Sequence, residues 1–262
     1  MSFQKIALIS ILLLGLALRL VHVDQSFWLD EASQAQMSSM SLSQIWSDRS
    51  ADFHPPLFYV LAHFWLQLGR SDVWLRLLPI SFGVINIYVI YIFANKLLPK
   101  KNSGLLASLF LAIAPFHIYY SQEFRSYSLL CLLGTLSMYF LFKKKYLSLA
   151  IVNSLLFYSH YSSVFLILTQ ILLVTKLDYK KYIIHNTLYL ILILPWLPQF
   201  VSQLGSGVNI DTYLPGWRSV LSTAPLKTLP VTLFKIVAGR ISFLSRYLYG
   251  LYIVFVLIVT FA

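Results

Sequence analysis

Long apolar stretches separated by short polar breaks are the main pattern along this chain. Apolar residues dominate positions 6–21, 80–93, 105–116 and 188–197. Runs of this length and composition are typical of helices that cross a bilayer. The pattern therefore predicts an all-α fold, a polytopic transmembrane helix bundle.

The composition favours a membrane protein over a soluble one. Of the 262 residues, 58% are hydrophobic and 11% are charged, whereas a soluble domain has about 25% charged residues. In a membrane protein, the net charge of +11 reflects the orientation of the chain, because basic residues collect on the cytoplasmic side. Nucleic acid is therefore not an expected partner. Cys131 is the single cysteine, which excludes a disulfide framework. No small-residue cleavage site follows the first apolar stretch, so we interpret it as an anchor.

The lysines predict which helix ends face the cytoplasm. Ten of the twelve lysines lie in four groups, and positively charged loops tend to stay cytoplasmic. Each interval between groups must then contain an even number of crossings. This rule predicts about eight spans with a cytoplasmic N-terminus. The four groups are Lys5, Lys96 with Lys100 and Lys101, residues 143–145, and Lys176 with Lys180 and Lys181.

One apolar segment breaks the even count. The interval from Lys5 to Lys96 has three such segments, and the middle one, residues 56–68, has about 13 residues. A segment this short is expected to lie in, or re-enter, the outer membrane surface. Residues 24–73 are therefore predicted to form a large first extracytoplasmic loop containing short surface helices. Eight of the nine acidic residues and all eight arginines fall on this outer side.

Later breaks complete the predicted topology. Turns at 121–126 and 160–163 separate pairs of spans, and a span at 182–197 leads to an external segment at 198–245. A last span begins near Tyr247 and reaches Ala262 without a polar cap. We therefore expect residues 1–262 to form a single transmembrane domain that is truncated at its C-terminus.

An acidic pair stands just past the first span. Asp30 and Glu31 follow an aromatic anchor, Trp28. Adjacent carboxylates at a membrane surface are costly, and they suit a place where a cation or a proton in transit is handled. The alternative is structural: Asp30 caps a helix, and Glu31 lies favourably at the positive end of its dipole.

Further candidates lie on the other predicted external turns. His54 precedes two prolines at a helix start, where an imidazole could bind a phosphate or pair with a carboxylate. Glu123 and Arg125 form either a mutual ion pair or a functional pair of charges, since charges at membrane depth are functional candidates. Tyr127 follows in the same turn, and His160, structural or functional, lies in the next one.

Six short motifs occur in a fixed order: LRL at 18–20, WLDEA at 28–32, HPPLFY at 54–59, GRSD at 69–72, LRL at 75–77 and YSQEFRSY at 120–127. In this order they resemble the family 39-type integral-membrane glycosyltransferases of prokaryotes. These are relatives of protein O-mannosyltransferases, the lipid A aminoarabinose transferase and the oligosaccharyltransferase catalytic subunit. The resemblance covers roughly residues 15–180. It implies a GT-C transmembrane fold, a polyprenyl-phosphate sugar donor, and an extracytoplasmic active site in the prokaryotic plasma membrane.

The resemblance also implies roles for individual residues. Asp30 falls at the catalytic acidic position, with Glu31 as its neighbour. His54 falls where some relatives have a lysine near the lipid phosphate, and Glu123 falls at the acidic position of the second external loop. Metal use differs among these relatives, so a divalent ion held by Asp30 and Glu123 is left open as a cofactor.

Glycosyl transfer from a lipid phosphate fits the same residues. The acceptor hydroxyl needs a base, for which Asp30 is the candidate, and one such carboxylate suffices for an inverting displacement. The departing phosphate needs cationic or hydrogen-bonding partners, for which Arg125 and His54 are candidates. Tyr127 and His160 are interpreted as supporting residues.

The sequence thus predicts a hexosyl- or pentosyltransferase in contact with membrane lipids. Its donor is a polyprenyl-phosphate sugar, and its acceptor is a lipid, glycan or protein hydroxyl. The alternative is a transporter or flippase of lipid-linked sugars, which often has paired halves with broken helices. We see no such symmetry, and the charge lies on one face. A non-catalytic scaffold is a third interpretation, against which the intact acidic pair argues.

Overall fold

The regular structure is helical throughout the residues that the structure describes, which confirms the predicted fold class. A computed structural model describes residues 3–47, 53–98, 100, 102–174, 178–208, 250 and 254. A 3-10 turn, Leu194–Trp196, precedes the last of the helices. The helices are α1 Phe3–Leu20, α2 Leu29–Ser38, α3 Leu42–Ser47, α4 Leu57–Leu66, α5 Asp72–Leu97, α6 Ser103–Ile113, α7 Pro115–Gln122, α8 Tyr127–Phe142, α9 Tyr146–Ser159, α10 Ser163–Leu173, α11 Tyr179–Ile193 and α12 Leu197–Val208.

Among the described residues, three helical segments are long and apolar enough to cross a membrane: α1, α5 and the continuous run Tyr179–Gly205. Helices α6 and α7 together make a fourth candidate, bent by 59°. Helices α8, α9 and α10 are apolar but have only 16, 14 and 11 residues. They begin and end at the predicted breaks. By length alone, the described residues support fewer crossings than the eight predicted for the whole chain. The predicted last span, from Tyr247, lies almost entirely outside the described residues.

The helical rod near the end of the described chain continues past its predicted boundary. An external segment was expected from residue 198, but α12 extends helical structure to Val208. Pro195 lies at the start of the 3-10 turn and Pro198 is the second residue of α12. Proline is tolerated in the first turn of a helix, where its missing N–H would have had no partner. The prolines therefore mark new helix starts, and residues 209–245 lie outside the described part.

The predicted loop at 24–73 contains three short helices, α2, α3 and α4. Helix α4 has 10 residues, about 15 Å of rise, half of what a bilayer requires. It buries Phe58, Tyr59 and Ala62. Phe58 and Ala62 join a hydrophobic core with residues of α5, α8 and α9. The length agrees with a segment that does not cross, while the side on which it lies stays a prediction.

The bend between α6 and α7 is stabilised by Arg19 at the end of α1. Pro115 has no N–H, so the carbonyl of Leu111 loses its usual helical partner. The Arg19 guanidinium donates to Ala112 O at 3.1 Å and to Leu111 O at 3.4 Å. In return, the Gln122 amide donates to the carbonyls of Arg19 and Val21. Arg19 of α1 thus satisfies carbonyls at the end of α6, and Gln122 of α7 satisfies carbonyls at the end of α1, so the chain beyond Gln122 has a fixed starting point.

Three polar side chains join α8, α9 and α10. Ser137 donates to Asn153 at 2.6 Å, Asn153 donates to Gln170 at 2.9 Å, and Gln170 donates back to Ser137 at 2.6 Å. All three side chains are completely buried. Such interhelical hydrogen bonds stabilise packed helices within a bilayer, where an unpaired polar group is costly.

Candidate functional site

Two segments that are distant in the sequence meet beside the start of α2. One is Asp30 and Glu31 in the first turn of α2, and the other is the turn between α7 and α8. The backbone N–H of Phe124 donates to Glu31 Oε1 at 2.7 Å, and Arg125 Nη1 donates to the carbonyl of Asp30 at 3.2 Å. The acidic pair is therefore held against the turn that carries Arg125.

Asp30 keeps an accessible carboxylate in this arrangement. It lies in the first turn of α2, after an extended Trp28 that provides no side-chain cap. The Asp30 side chain is 43% exposed, and its Oδ2 lies 3.7 Å from Arg125 Nη1. A negative charge in the first helical turn is favourable toward the helix dipole. Asp30 thus lies beside a cation and remains open to an incoming group.

His54 completes a cationic side of the site. Arg125 Nη2 lies 3.2 Å from His54 Nε2, so the guanidinium donates to an imidazole nitrogen that acts as acceptor. His54 is half-buried immediately before Pro55 and Pro56, which are buried and precede α4. Arg125 is buried as well. A planar guanidinium with an imidazole beside it is suited to binding a phosphate, because both can direct N–H groups at its oxygens.

His160 and Tyr127 form the far wall of this cluster. The ring of His160 lies 5.8 Å from that of His54 and 6.2 Å from that of Tyr127, centroid to centroid. The Arg125 guanidinium carbon lies 5.9 Å from the centroid of the Tyr127 ring. Burial, then the charges of His54 and Arg125, lower the pKa of His160 to about 4. His160 is therefore a neutral imidazole at neutral pH.

The turn that carries His160 is fixed by its aromatic neighbours. Ser162 donates through its backbone N–H to His160 Nδ1 at 3.2 Å. The Trp196 indole donates to the Tyr161 hydroxyl at 2.9 Å. Trp46 of α3 packs edge-on against Trp196, with ring centroids 5.0 Å apart. The predicted external loop and the α11–α12 rod thus both contact the turn between α9 and α10.

Glu31, predicted to act with Asp30, is buried in a different environment. Its side chain is 1% exposed and pairs with Arg76 of α5 at 2.5 Å. Arg76 also donates to the carbonyls of Val23, Gln25 and Ser26. Arg76 is part of the LRL motif at 75–77, but no role was predicted for it. In the sequence, its role was indicated only by its position, four residues into α5, the helix that starts at the end of the 24–73 loop.

Glu123 is buried on the Glu31 side of the turn. It lines a cavity together with Glu31 and Arg76, and its carbonyl accepts the N–H of Arg125 at 2.7 Å. Among the described residues, no group of three or more His, Cys, Asp or Glu side chains is placed to hold a metal ion. Asp30 and Glu123 thus have no third such ligand in this part of the chain, and we derive no step through a metal.

Seven site residues were predicted from the sequence, and five of them lie in one cluster. Glu31 and Glu123 border the adjoining cavity. The five that come together are Asp30, His54, Arg125, Tyr127 and His160.

Comparisons with known proteins agree with this arrangement. A family model described as dolichyl-phosphate-mannose-protein mannosyltransferase matches residues 53–199, more than half of the chain. The match includes His54, Glu123, Arg125, Tyr127 and His160, and it begins after the acidic pair. No curated protein and no solved structure matches the chain. By the family match, the chain belongs to the dolichyl-phosphate-mannose-protein mannosyltransferase family.

Proposed function

We propose that this chain transfers a sugar from a polyprenyl-phosphate donor to an acceptor hydroxyl, with inversion and with Asp30 as the general base. Family membership supports a membrane glycosyltransferase of the mannosyltransferase type that uses such a donor. The lysine distribution supports a site on the extracytoplasmic side of a prokaryotic plasma membrane. The acceptor is a hydroxyl of a lipid, glycan or protein.

The main support for this proposal is the difference in exposure between the adjacent carboxylates of Asp30 and Glu31. The Asp30 side chain is 43% exposed, whereas that of Glu31 is 1% exposed and is neutralised by Arg76. A general base must come within hydrogen-bond distance of the proton that it removes. Asp30 meets this requirement for an acceptor arriving from outside. We assign Glu31 instead to holding Asp30 and the 123–126 turn in place.

Arg125 and His54 are suited to the donor phosphate. The phosphate would accept hydrogen bonds from the guanidinium and from a protonated His54, replacing the contact between these two side chains. Fixed donors directed at a leaving group stabilise the charge that develops on it during the reaction. His160 and Tyr127 confine Arg125 and His54 by packing against them.

The proposed reaction is a single displacement. The bond between the sugar's anomeric carbon and the phosphate oxygen breaks, and a bond from that carbon to the acceptor oxygen forms. Asp30 takes the proton of the acceptor hydroxyl, and the carrier leaves as polyprenyl phosphate. Because the acceptor attacks from the face opposite the phosphate, the anomeric configuration inverts.

A transfer assay on purified protein in lipid nanodiscs tests this function. The donors are a panel of radiolabelled polyprenyl-phosphate hexoses and pentoses, offered with lipid, glycan and hydroxyl-bearing peptide acceptors. We expect a product of inverted anomeric configuration, read by NMR, from the wild type and far less from Asp30→Asn. Movement of the labelled lipid across a vesicle bilayer without any product would favour the transporter alternative.

A further inference from the structure

The cavity lined by Glu31, Arg76 and Glu123 lies next to the first turn of α2, which carries Asp30. Its volume is about 420 Å³, within the range of roughly 300–1,000 Å³ found for small-molecule sites. Neither Arg125 nor His54 is among the described residues that line it. Two of its lining residues, Trp28 and Glu31, flank the candidate base in the sequence. The polar and aromatic side chains around it include those of His22, Gln25, Ser26, Trp28, Gln122 and Glu123.

The buried Arg76 and Glu31 of this cavity neutralise each other's charge. Arg76 and Glu31 satisfy each other through two hydrogen bonds of 2.9 and 2.5 Å. The remaining guanidinium hydrogens are directed at loop carbonyls. Arg76 is therefore committed within the protein and is not available to a ligand in the cavity. This environment disfavours a phosphate and suits a neutral ligand with many hydroxyl groups.

Trp28 gives the cavity a flat apolar wall. Its side chain is 45% exposed although the ring is large and apolar. The backbone at Trp28 is extended, and its carbonyl accepts the N–H of Ala32 at 3.0 Å, so its position at the start of α2 is fixed. An indole presents an apolar face and one N–H donor. The C–H face of a sugar ring packs well on such a surface.

Gln122 adds an oriented acceptor. Its Nε2 donates to Val21 O at 2.6 Å and to Arg19 O at 3.2 Å, which leaves its Oε1 as the amide's acceptor. The exposed side chains of Gln25 and Ser26 bring both donors and acceptors to the same cavity. A wall of one indole with amides, a hydroxyl and a carboxylate matches the alternating C–H and O–H groups of a carbohydrate.

We propose that this cavity binds the acceptor, and that the acceptor is a carbohydrate. The assignment to the acceptor rests on the proposed transferase function, because an in-line displacement places the acceptor opposite the phosphate. The phosphate is assigned to Arg125 and His54, and the cavity is lined by Trp28 and Glu31, which lie on either side of Asp30 in the sequence. An acceptor hydroxyl held there would approach the Asp30 carboxylate.

Saturation-transfer NMR on the detergent-solubilised chain tests binding directly. The probes are methyl glycosides of mannose, glucose, galactose and N-acetylglucosamine, with a serine-containing peptide as the competing acceptor class. We expect at least one glycoside to bind the wild type, with affinity roughly tenfold lower in Trp28→Ala, in keeping with the loss of one aromatic contact. Trp28→Phe should keep much of the binding, and Gln25→Ala should weaken it. Arg70→Ala, an exposed change outside the cavity, should leave glycoside binding unchanged.

Several outcomes would overturn the proposal. These are no glycoside binding to the wild type, equal binding to the wild type and Trp28→Ala, or Trp28-dependent binding of the serine peptide alone. In transfer kinetics, Trp28→Ala should raise the acceptor KM and leave the donor KM unchanged. A raised donor KM instead would place the donor's sugar in the cavity. Trp28-dependent glycoside binding without transfer by the wild type would refute the transferase function and retain the carbohydrate site.

Discussion

Arg76 binds Glu31 through two nitrogens on one edge of its guanidinium, with Nε 2.9 Å from Oε1 and Nη2 2.5 Å from Oε2. Both side chains are buried, and Glu31 Oε1 also accepts the backbone N–H of Phe124. One ion pair therefore connects the start of α2, the N-terminal turn of α5 and the 123–126 turn. Asp30 and Arg125 are carried by the segments that this pair joins.

Replacing Glu31 by Gln should destabilise the fold. Removing one partner of a buried pair leaves the other charge uncompensated, at a cost of about 3–5 kcal/mol. The measurement is the free energy of unfolding, or the midpoint of thermal unfolding, in a fixed detergent. Asp24→Asn, an exposed change on the same loop, is the matched control and should have little effect. Equal stability of the two variants would show that the ion pair contributes little.

Replacing Asp30 by Asn should leave the fold intact and reduce turnover. The carboxylate is exposed, and its contact to Arg125 at 3.7 Å is long, so its loss should cost little stability. Loss of a general base typically slows a reaction by roughly 10²–10⁴-fold. Turnover and donor binding should be measured on the same folded preparation. Near-normal turnover would remove Asp30 from the role of base.

The helices were predictable from the sequence because apolar runs and polar breaks report directly on a bilayer. The roles of the two acidic neighbours were not. Which carboxylate faces outward depends on Arg76, 45 residues away along the chain. A pattern at 30–31 contains no information about that partner. The structure separates an accessible Asp30 from a paired Glu31, where the sequence had offered a single acidic pair.

Two further differences between the prediction and the structure also depend on tertiary contacts that the local sequence does not show. The helical run past Pro198 was not expected, because a proline that begins a new helical turn looks the same in sequence as one that ends a helix. The role of Arg19 was also missed. An arginine at a helix end resembles an interfacial anchor, and only the neighbouring bend at Pro115 supplies carbonyls for it.

Arg125→Lys should weaken donor binding. Lysine keeps the charge but lacks the planar fork with which a guanidinium can contact the Asp30 carbonyl and a phosphate together. Hydrogen bonds to charged groups contribute about 1.5–3 kcal/mol, so the affinity for a polyprenyl phosphate should fall roughly 10- to 100-fold. Arg70→Lys, a change at an exposed arginine of the 24–73 loop, is the control. If Arg125→Ala bound the lipid normally, the residue would serve only to hold Asp30.

His160 should make stability depend on pH in the acidic range. Its pKa is lowered from 6.5 to about 4 in the folded chain, chiefly by burial. Between these values only the unfolded chain takes up the proton, so the free energy of unfolding should fall as the pH drops from about 6.5 toward 4. His160→Gln should show a shallower decline in thermal midpoint over this range. Parallel curves for the wild type and His160→Gln would argue against the shifted pKa.

The bend at Pro115 provides a test of what Arg19 does. Replacing Arg19 by Met keeps an apolar stem and removes the donors to Leu111 O and Ala112 O. Each buried carbonyl left without a partner should cost about 1–3 kcal/mol. In a Pro115→Ala background residue 115 regains an N–H, which can donate to Leu111 O as in a continuous helix. Arg19→Met should therefore cost less in that background, by about 0.5–1.5 kcal/mol. Unfolding of the four proteins of this double-mutant cycle gives the coupling energy. A coupling energy of zero would mean that Arg19 does not stabilise the bend, and that the turn carrying Arg125 is positioned by the Glu31–Arg76 pair alone.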